Sequence, residues 1–274
     1  MDGMDGNGAT MAEEPRPLAD LEPSLLAPRQ TAFFLDFDGT LADFNDDPFA
    51  VVLPERERRS LAVLAREAGG ALAIVSGRAI ADIDRMLEPL KLPVAGVHGL
   101  ERRGADGMVV RATLPEGLLA EARSRLQALA RLHPGLLIEE KPGSVALHFR
   151  RCPELEPQCL EVARGIVETH KDLQVLHGKM VIEFKAGHAT KADAVAAFMQ
   201  EPPFRGRHPF FAGDDSTDED VFVKMLEENG ISVKVGPGAT AAAYRAGGID
   251  AFRDWLANLV QPFNETERST AAPG

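Results

Sequence analysis

Residues 31–41 read TAFFLDFDGTL, and the fold turns on how that stretch is parsed. Thr31 to Asp36 is a short apolar run ending in an acid, the pattern of a buried strand. Asp36 and Asp38 stand at i and i+2 where strand gives way to loop, so both carboxylates can face one crevice once the chain turns. Open α/β sheets bind ligands at such carboxyl ends. Gly39 permits the tight turn. A plain polar turn is the competing reading, because Asp-Gly is a common turn dipeptide.

Working outward, strand and helix alternate. Pro54 to Ala68 carries Leu61, Leu64, Ala65 and Ala68 at helical spacing, with Gly69 as a stop. Ala71 to Ser76 (ALAIVS) is a second buried strand, followed by a helix from Ala79 and a strand at Val94 to Val97. This is the rhythm of a parallel sheet with crossover helices. After Gly104 it changes. Met108 to Thr113 reads as an edge strand, Pro115 to Leu132 as a helix, and Leu136 to Lys141 and Ser144 to Arg150 as strands. A helix at Pro153 to His170 and strands at Leu173 to Leu176 and Met180 to Lys185 complete an α+β layer. The α/β rhythm then returns. A helix spans 190–199, a strand Pro209 to Gly213, a helix Thr217 to Glu228, a strand Ile231 to Val235, and helices run to Val260.

The expected architecture is α/β: a Rossmannoid core of residues 25–105 and 188–262, interrupted by an α+β domain of residues 106–187. Residues 1–24 are rich in Gly, Pro, Met and acid without periodicity and are expected to be a disordered leader, with 263–274 a flexible tail.

The 274 residues carry 30 Lys and Arg against 42 Asp and Glu, a net charge of -12. That balance argues against nucleic acid and anionic membrane as partners, since both want a basic face. It leaves room for a small anionic substrate in a local positive pocket. Cys152 and Cys159 are seven apart in a stretch read as helical, too far for a disulfide, and no Cys or His pair adds metal-ligand spacing. A reduced, cytoplasmic protein is expected. No apolar run approaches a membrane span, and no signal-peptide pattern is visible.

Three further motifs carry chemistry. Gly213 to Asp220 reads GDDSTDED, five acids in eight residues past an apolar strand. Such a cluster suits Mg²⁺, which takes one or two carboxylates and keeps several waters. A helix N-terminus capped by Ser216 or Thr217 accounts for Asp218 to Asp220 in part, but not for Asp214 at the strand end. Ser76-Gly77-Arg78 sets a hydroxyl at a strand tip before a helix N-terminus, suited to phosphate, though Ser-Gly is also an ordinary turn. Lys191 opens a helix, where a lone lysine is more often a solvated charge.

In that order (acid pair, Ser, Lys, acid cluster), the chain resembles the haloacid dehalogenase superfamily, and the insertion resembles its cap of the C2B type. The segments SGR at 76–78, GVHGLE at 96–101, EEKPGSVALHFR at 139–150, GKMVIE at 178–183 and GDDSTDED at 213–220 are similar to the trehalose-6-phosphate phosphatase family. The Lys191 stretch departs from it, reading HATK where the family often has Asn before the Lys and Gly after it.

The resemblance implies hydrolysis of trehalose 6-phosphate to trehalose and phosphate through an aspartyl-phosphate on Asp36, with Asp38 as general acid and base. Ser76 and Lys191 would hold the phosphoryl oxygens. Mg²⁺ would lie on Asp36, the Asp38 carbonyl and Asp214, with Asp218 behind. Gly77, Arg78, His98, Glu139, Lys141 and Glu183 are the substrate-binding candidates. A monomer is expected, with a trehalose-phosphate synthase as candidate partner. Another sugar phosphate such as sucrose phosphate or mannosylglycerate phosphate, a phosphomutase, and an inactive regulatory domain remain open alternatives.

Overall fold

The computed structural model describes residues 14–115 and 117–270. In chain order come β1 (Arg16–Pro17), β2 (Thr31–Leu35), α1 (Glu55–Glu67), β3 (Leu72–Val75) and α2 (Ile80–Leu87). Next are β4 (Val94–Gly96), β5 (Glu101–Arg103), β6 (Val109–Arg111), α3 (Ala120–Leu132), β7 (Leu137–Lys141) and β8 (Ser144–His148). Then follow α4 (Glu156–Thr169), β9 (Leu173–Gly178), β10 (Val181–Ala186), α5 (Lys191–Met199) and β11 (His208–Gly213). The chain continues with α6 (Glu219–Glu227), β12 (Ile231–Val235), β13 (Tyr244–Ala246) and α7 (Ile249–Thr270).

The core is a nine-stranded sheet in the order β1-β13-β12-β11-β2-β3-β4-β5-β6. TAFFL forms β2 at its centre, parallel to β11 and β3, with all five residues buried. A strand covered by helices on both faces needs no polar side, which is why the run is continuously apolar. Phe34 stacks on Phe204 at 5.3 Å between ring centroids, and Phe210 stacks on Trp255 of α7 at 5.7 Å. The parallel strands end together, and their carboxyl ends carry Asp36, Ser76 and Asp214.

The second sheet is antiparallel, ordered β7-β8-β10-β9. Its period-two alternation sorts side chains cleanly. Val145, Leu147, Ile182 and Phe184 pack with Ala122, Leu126 and Ile166 of α3 and α4. Glu139, Lys141, Ala146, His148 and Glu183 occupy the other face. Register places Ala146 between Glu139 and Glu183, so a small side chain separates two carboxylates on one row. Cys152 and Cys159 are free and buried in this cap.

Three boundaries differ from the sequence reading. Residues 1–13 of the expected leader lie outside the described residues, but Arg16–Pro17 pairs in parallel with β13, and Leu18 and Leu21 are buried in the core. The Met108–Thr113 strand, expected inside the cap, is β6 and continues the core sheet through β5, antiparallel to β4. The cap therefore begins after Arg111. The expected tail is helical as far as Thr270, as the end of α7. Among the described residues, no helix is long and apolar enough to cross a membrane.

Candidate active site

The turn after β2 is closed by Gly39, whose φ of +81° is open to glycine and strained for other residues. A Cβ there would also sit 2.3 Å from Asp214 Oδ2, so the glycine lets two acidic loops approach. Asp36 is buried at the end of β2, with its N–H bonded to the Ala212 carbonyl at 2.9 Å. Lys191 Nζ donates at 2.7 Å both to Asp36 Oδ1 and to Asp218 Oδ1. The lysine is buried, not solvated, because Thr190 caps α5 in a reciprocal box with Asp193 and turns the Lys191 side chain inward.

Asp218 is fully committed. Its second oxygen accepts the Asp214 and Asp215 N–H groups at 3.0 and 2.9 Å. Asp215, not Ser216 or Thr217, caps the short helical turn at Ser216–Asp218. Burial, with Asp218 and Asp214 close by, pushes the Asp36 carboxyl well up against the pull of Lys191. Burial likewise pushes the Asp214 carboxyl up to about 6, opposed by Lys179 and assisted by Asp218. Burial works against the Lys191 ammonium too, but Asp218 and Asp36 outweigh it and hold its pKa above the usual lysine range.

Carboxylate oxygens of Asp36, Asp214 and Asp218 lie within 4.8 Å of one another. Among the described residues, Asp214 Oδ1 is buried without a hydrogen-bond partner, and Asp36 Oδ2 receives only Thr40 at 3.4 Å. An oxygen-only donor set with two lightly used carboxylates fits a hard divalent cation that keeps its own waters. Asp38 contributes no free carboxylate to it. Arg78 donates from Nε to Asp38 Oδ2 at 2.6 Å and from Nη2 to Oδ1 at 2.7 Å.

Ser76 sits at the end of β3, buried, and its Oγ accepts the Arg78 N–H at 3.1 Å. Gly77 leaves room for His98, whose ring would meet a Cβ at 2.5 Å. Above them lies the polar row of the cap. Lys141 Nζ donates to Glu183 Oε2 at 2.8 Å and to the Gly77 carbonyl at 3.0 Å, with Glu139 Oε2 at 3.6 Å. Burial would raise the Glu183 carboxyl, yet Lys141 and His98 hold it well below the carboxylate range. His98 itself is lowered by burial, against the pull of Glu183.

The structure thus brings all ten substrate and catalytic candidates, with Asp214 and Asp218, to the interface of core and cap. Arg78 spends its guanidinium on Asp38 and the Pro48 carbonyl. Four contributors escaped the sequence reading. His148 Nε2 lies 2.9 Å from Glu139 Oε2, and Lys179 Nζ reaches Asp214 Oδ2 at 2.5 Å. Phe44 and Arg150 line the same cleft. His148 shares a face with Glu139 by strand alternation and was findable on that ground. The loop carrying Phe44 has no periodicity to reveal it.

Comparison with known proteins identifies the family. The chain is 38% identical over 241 residues to "Trehalose-6-phosphate phosphatase" of Escherichia coli, covering 87% of this chain and 91% of that protein. It is 39% identical over 212 residues to "Probable trehalose-phosphate phosphatase" of Sinorhizobium fredii, covering 77% and 80%. The fold matches the C-terminal domain of the C. albicans trehalose-6-phosphate phosphatase with a TM-score of 0.78 at 23% identity, over 90% of this chain and 97% of that one. The family model of trehalose-phosphatases spans residues 34–247, from the strand that presents Asp36 to the last strand of the core sheet, and the chain belongs to that family.

Proposed function

We propose that this protein hydrolyses trehalose 6-phosphate to trehalose and inorganic phosphate through a covalent aspartyl-phosphate. The observation that carries this reading is the placement of Asp36, gripped by Lys191 at 2.7 Å, beneath the cap row of Glu139, Lys141 and Glu183. A nucleophile and its charge-neutralising lysine lie in the core, and charged hydrogen-bonding groups suited to a hydroxyl-rich sugar face them from the cap.

Asp36 attacks phosphorus, forming a carboxyl–phosphate bond as the bond to the sugar oxygen breaks. Asp38 protonates the departing oxygen and then takes a proton from the water that hydrolyses the acyl phosphate. Lys191 and Ser76 orient the phosphoryl oxygens and offset their charge. Asp36, Asp214 and the Asp38 carbonyl would hold Mg²⁺, steadied by Asp218. The ion would supply positive charge where an ionised carboxylate must meet a phosphate dianion. Glu139, Lys141 and Glu183 read the sugar, and His98 and His148 orient the two glutamates.

Asp36→Asn tests the covalent step, since an amide cannot serve as the nucleophile. Phosphate release from trehalose 6-phosphate should disappear while the folded state persists. Near wild-type kcat in that variant would rule the mechanism out.

A further inference from the structure

α2 follows the Ser76–Arg78 loop directly, yet Ala79 at its cap position offers no side-chain acceptor. The acceptor comes from another element. Glu101, the first residue of β5, is buried, and its Oε1 takes the Ile80 N–H at 2.6 Å. An anion at a helix N-terminus meets the positive end of the helix dipole, which favours a carboxylate there. Oε2 accepts from Arg111 Nε at 3.2 Å, but the arginine side chain is 62% exposed and the pair adds little. One N–H that the helix could have offered to phosphate is thus spent on the protein's own carboxylate.

Glu101 lies opposite Gly96 in the β4–β5 pair. The turn between them runs through Val97, His98 and Gly99 at φ of 48°, 52° and 97°. A β-branched residue at positive φ is strained, and such a turn persists only where its surroundings over-determine it. Here they do. Val97 N–H donates to the Arg78 carbonyl at 2.9 Å, His98 N–H to the Ser76 carbonyl at 3.0 Å, and Ser76 N–H to the Ala95 carbonyl at 2.8 Å. A Cβ on Gly96 would stand 2.8 Å from the Arg78 carbonyl oxygen and 3.0 Å from both Glu101 Oε1 and the Ile80 nitrogen. Loop, helix end and glutamate therefore close on one point. A Cβ on Gly99 would lie 2.4 Å from the Thr190 carbonyl oxygen, so the same turn is seated against the residue that caps α5 just before Lys191.

We propose that Glu101 is a positioning residue for phosphoryl transfer. By capping α2 from β5 it fixes the Ser76–Arg78 loop, and through that loop it sets Ser76 Oγ against the phosphoryl oxygens. This inference rests on Ser76 being a ligand of the phosphoryl group.

The test is steady-state hydrolysis of p-nitrophenyl phosphate and trehalose 6-phosphate by the full chain, well below its melting temperature. Glu101→Ala should lower kcat by about ten- to a hundredfold, the cost of a misplacement near one ångström, with KM much less changed. The loss should be equal on both substrates, which share the phosphoryl group. A variant that had only lost stability would keep its kcat per folded molecule. Glu101→Gln keeps an acceptor for the Ile80 N–H and should fall between wild type and Glu101→Ala. Gly96→Ala crowds the same point without removing the glutamate, and its φ of -106° accepts alanine, so it carries the test if Glu101→Ala does not fold. It too should slow turnover. In double variants with Ser76→Ala, neither change should add to the loss that Ser76→Ala causes alone. Losses that multiply, a loss confined to trehalose 6-phosphate, or a Glu101→Gln no better than Glu101→Ala would overturn the proposal. Ser76→Ala separates the two levels. If it leaves kcat unchanged on both substrates, the phosphoryl assignment of Ser76 falls and the positioning with it. If it slows both while Glu101→Ala and Gly96→Ala match wild type, the positioning alone falls.

Discussion

Arg78 holds Asp38 by both carboxylate oxygens, at 2.6 and 2.7 Å, while its remaining nitrogen donates to the Pro48 carbonyl at 2.7 Å. A forked guanidinium suits an ionised carboxylate, because a carboxylic acid would have to aim its own proton at a donor. Under the proposed mechanism the fork would loosen when Asp38 gives or takes a proton, and would re-form to return Asp38 to one place. On that mechanism Arg78 would act on the chemistry through Asp38.

Arg78→Ala should lower kcat by about ten- to a hundredfold, the worth of a hydrogen bond to a charged group, with KM much less affected. Arg78→Lys should rescue only part, since a point charge cannot bind two oxygens as a fork does. Steady-state kinetics on both variants check this. A change in KM alone would place Arg78 on the sugar instead.

Metal removal gives a second expectation. Three buried carboxylates have between them one buried lysine, Lys191, and one half-exposed lysine, Lys179, so a phosphate dianion meets excess negative charge unless a divalent ion is present. Chelation by EDTA should abolish turnover, and added Mg²⁺ should restore it. Full activity in metal-free buffer would refute the ligand assignment.

Lys141 lies between two buried glutamates, with side chains all 6% exposed. Replacing it by Met leaves Glu139 and Glu183 without their shared cation, and unfolding in urea should show a loss of about 3–5 kcal/mol. An unchanged midpoint would mean that the histidines suffice to hold the row.

Acid should weaken this row in a defined window. The Glu183 pKa is depressed in the folded protein, so its contribution is complete above its unfolded value of about 4.5 and fades as pH falls below it. Thermal melts should show wild-type stability falling below that pH. Glu183→Gln should have a flatter profile there, and parallel profiles would contradict the assignment.

The N-terminal segment yields a stability expectation opposite to a dispensable leader. Deleting residues 14–24 removes Leu18 and Leu21 from the core, worth about 1.5–3 kcal/mol each, along with the β1–β13 pairing. A truncation starting at Leu25 should melt several degrees lower than one starting at Glu14.

TAFFLDFDGTL announced the central strand and its acids because an apolar run broken by paired carboxylates has few other readings. Arg16–Pro17 escaped because two residues carry no periodicity and Leu18 and Leu21 are set among polar neighbours. Met108–Thr113 was legible as a strand but not as part of the core. Val109 and Val110 are exposed at a sheet edge, so no buried face told which sheet they join. Lys191 read as a surface charge in isolation, and only the capping of α5 by Thr190 and the approach of β2 show where it points. Lys179 depends on cap and core meeting, a contact between segments 35 residues apart that local sequence does not encode.

The most direct measurement is phosphate release from trehalose 6-phosphate set against glucose 6-phosphate, sucrose 6-phosphate and p-nitrophenyl phosphate. Two or more charged hydrogen bonds to the second glucose should favour trehalose 6-phosphate over glucose 6-phosphate by about a hundredfold in kcat/KM. Glu139→Ala should narrow that gap while leaving p-nitrophenyl phosphate turnover nearly unchanged. Comparable rates on all four substrates, or no phosphate from trehalose 6-phosphate, would contradict the account.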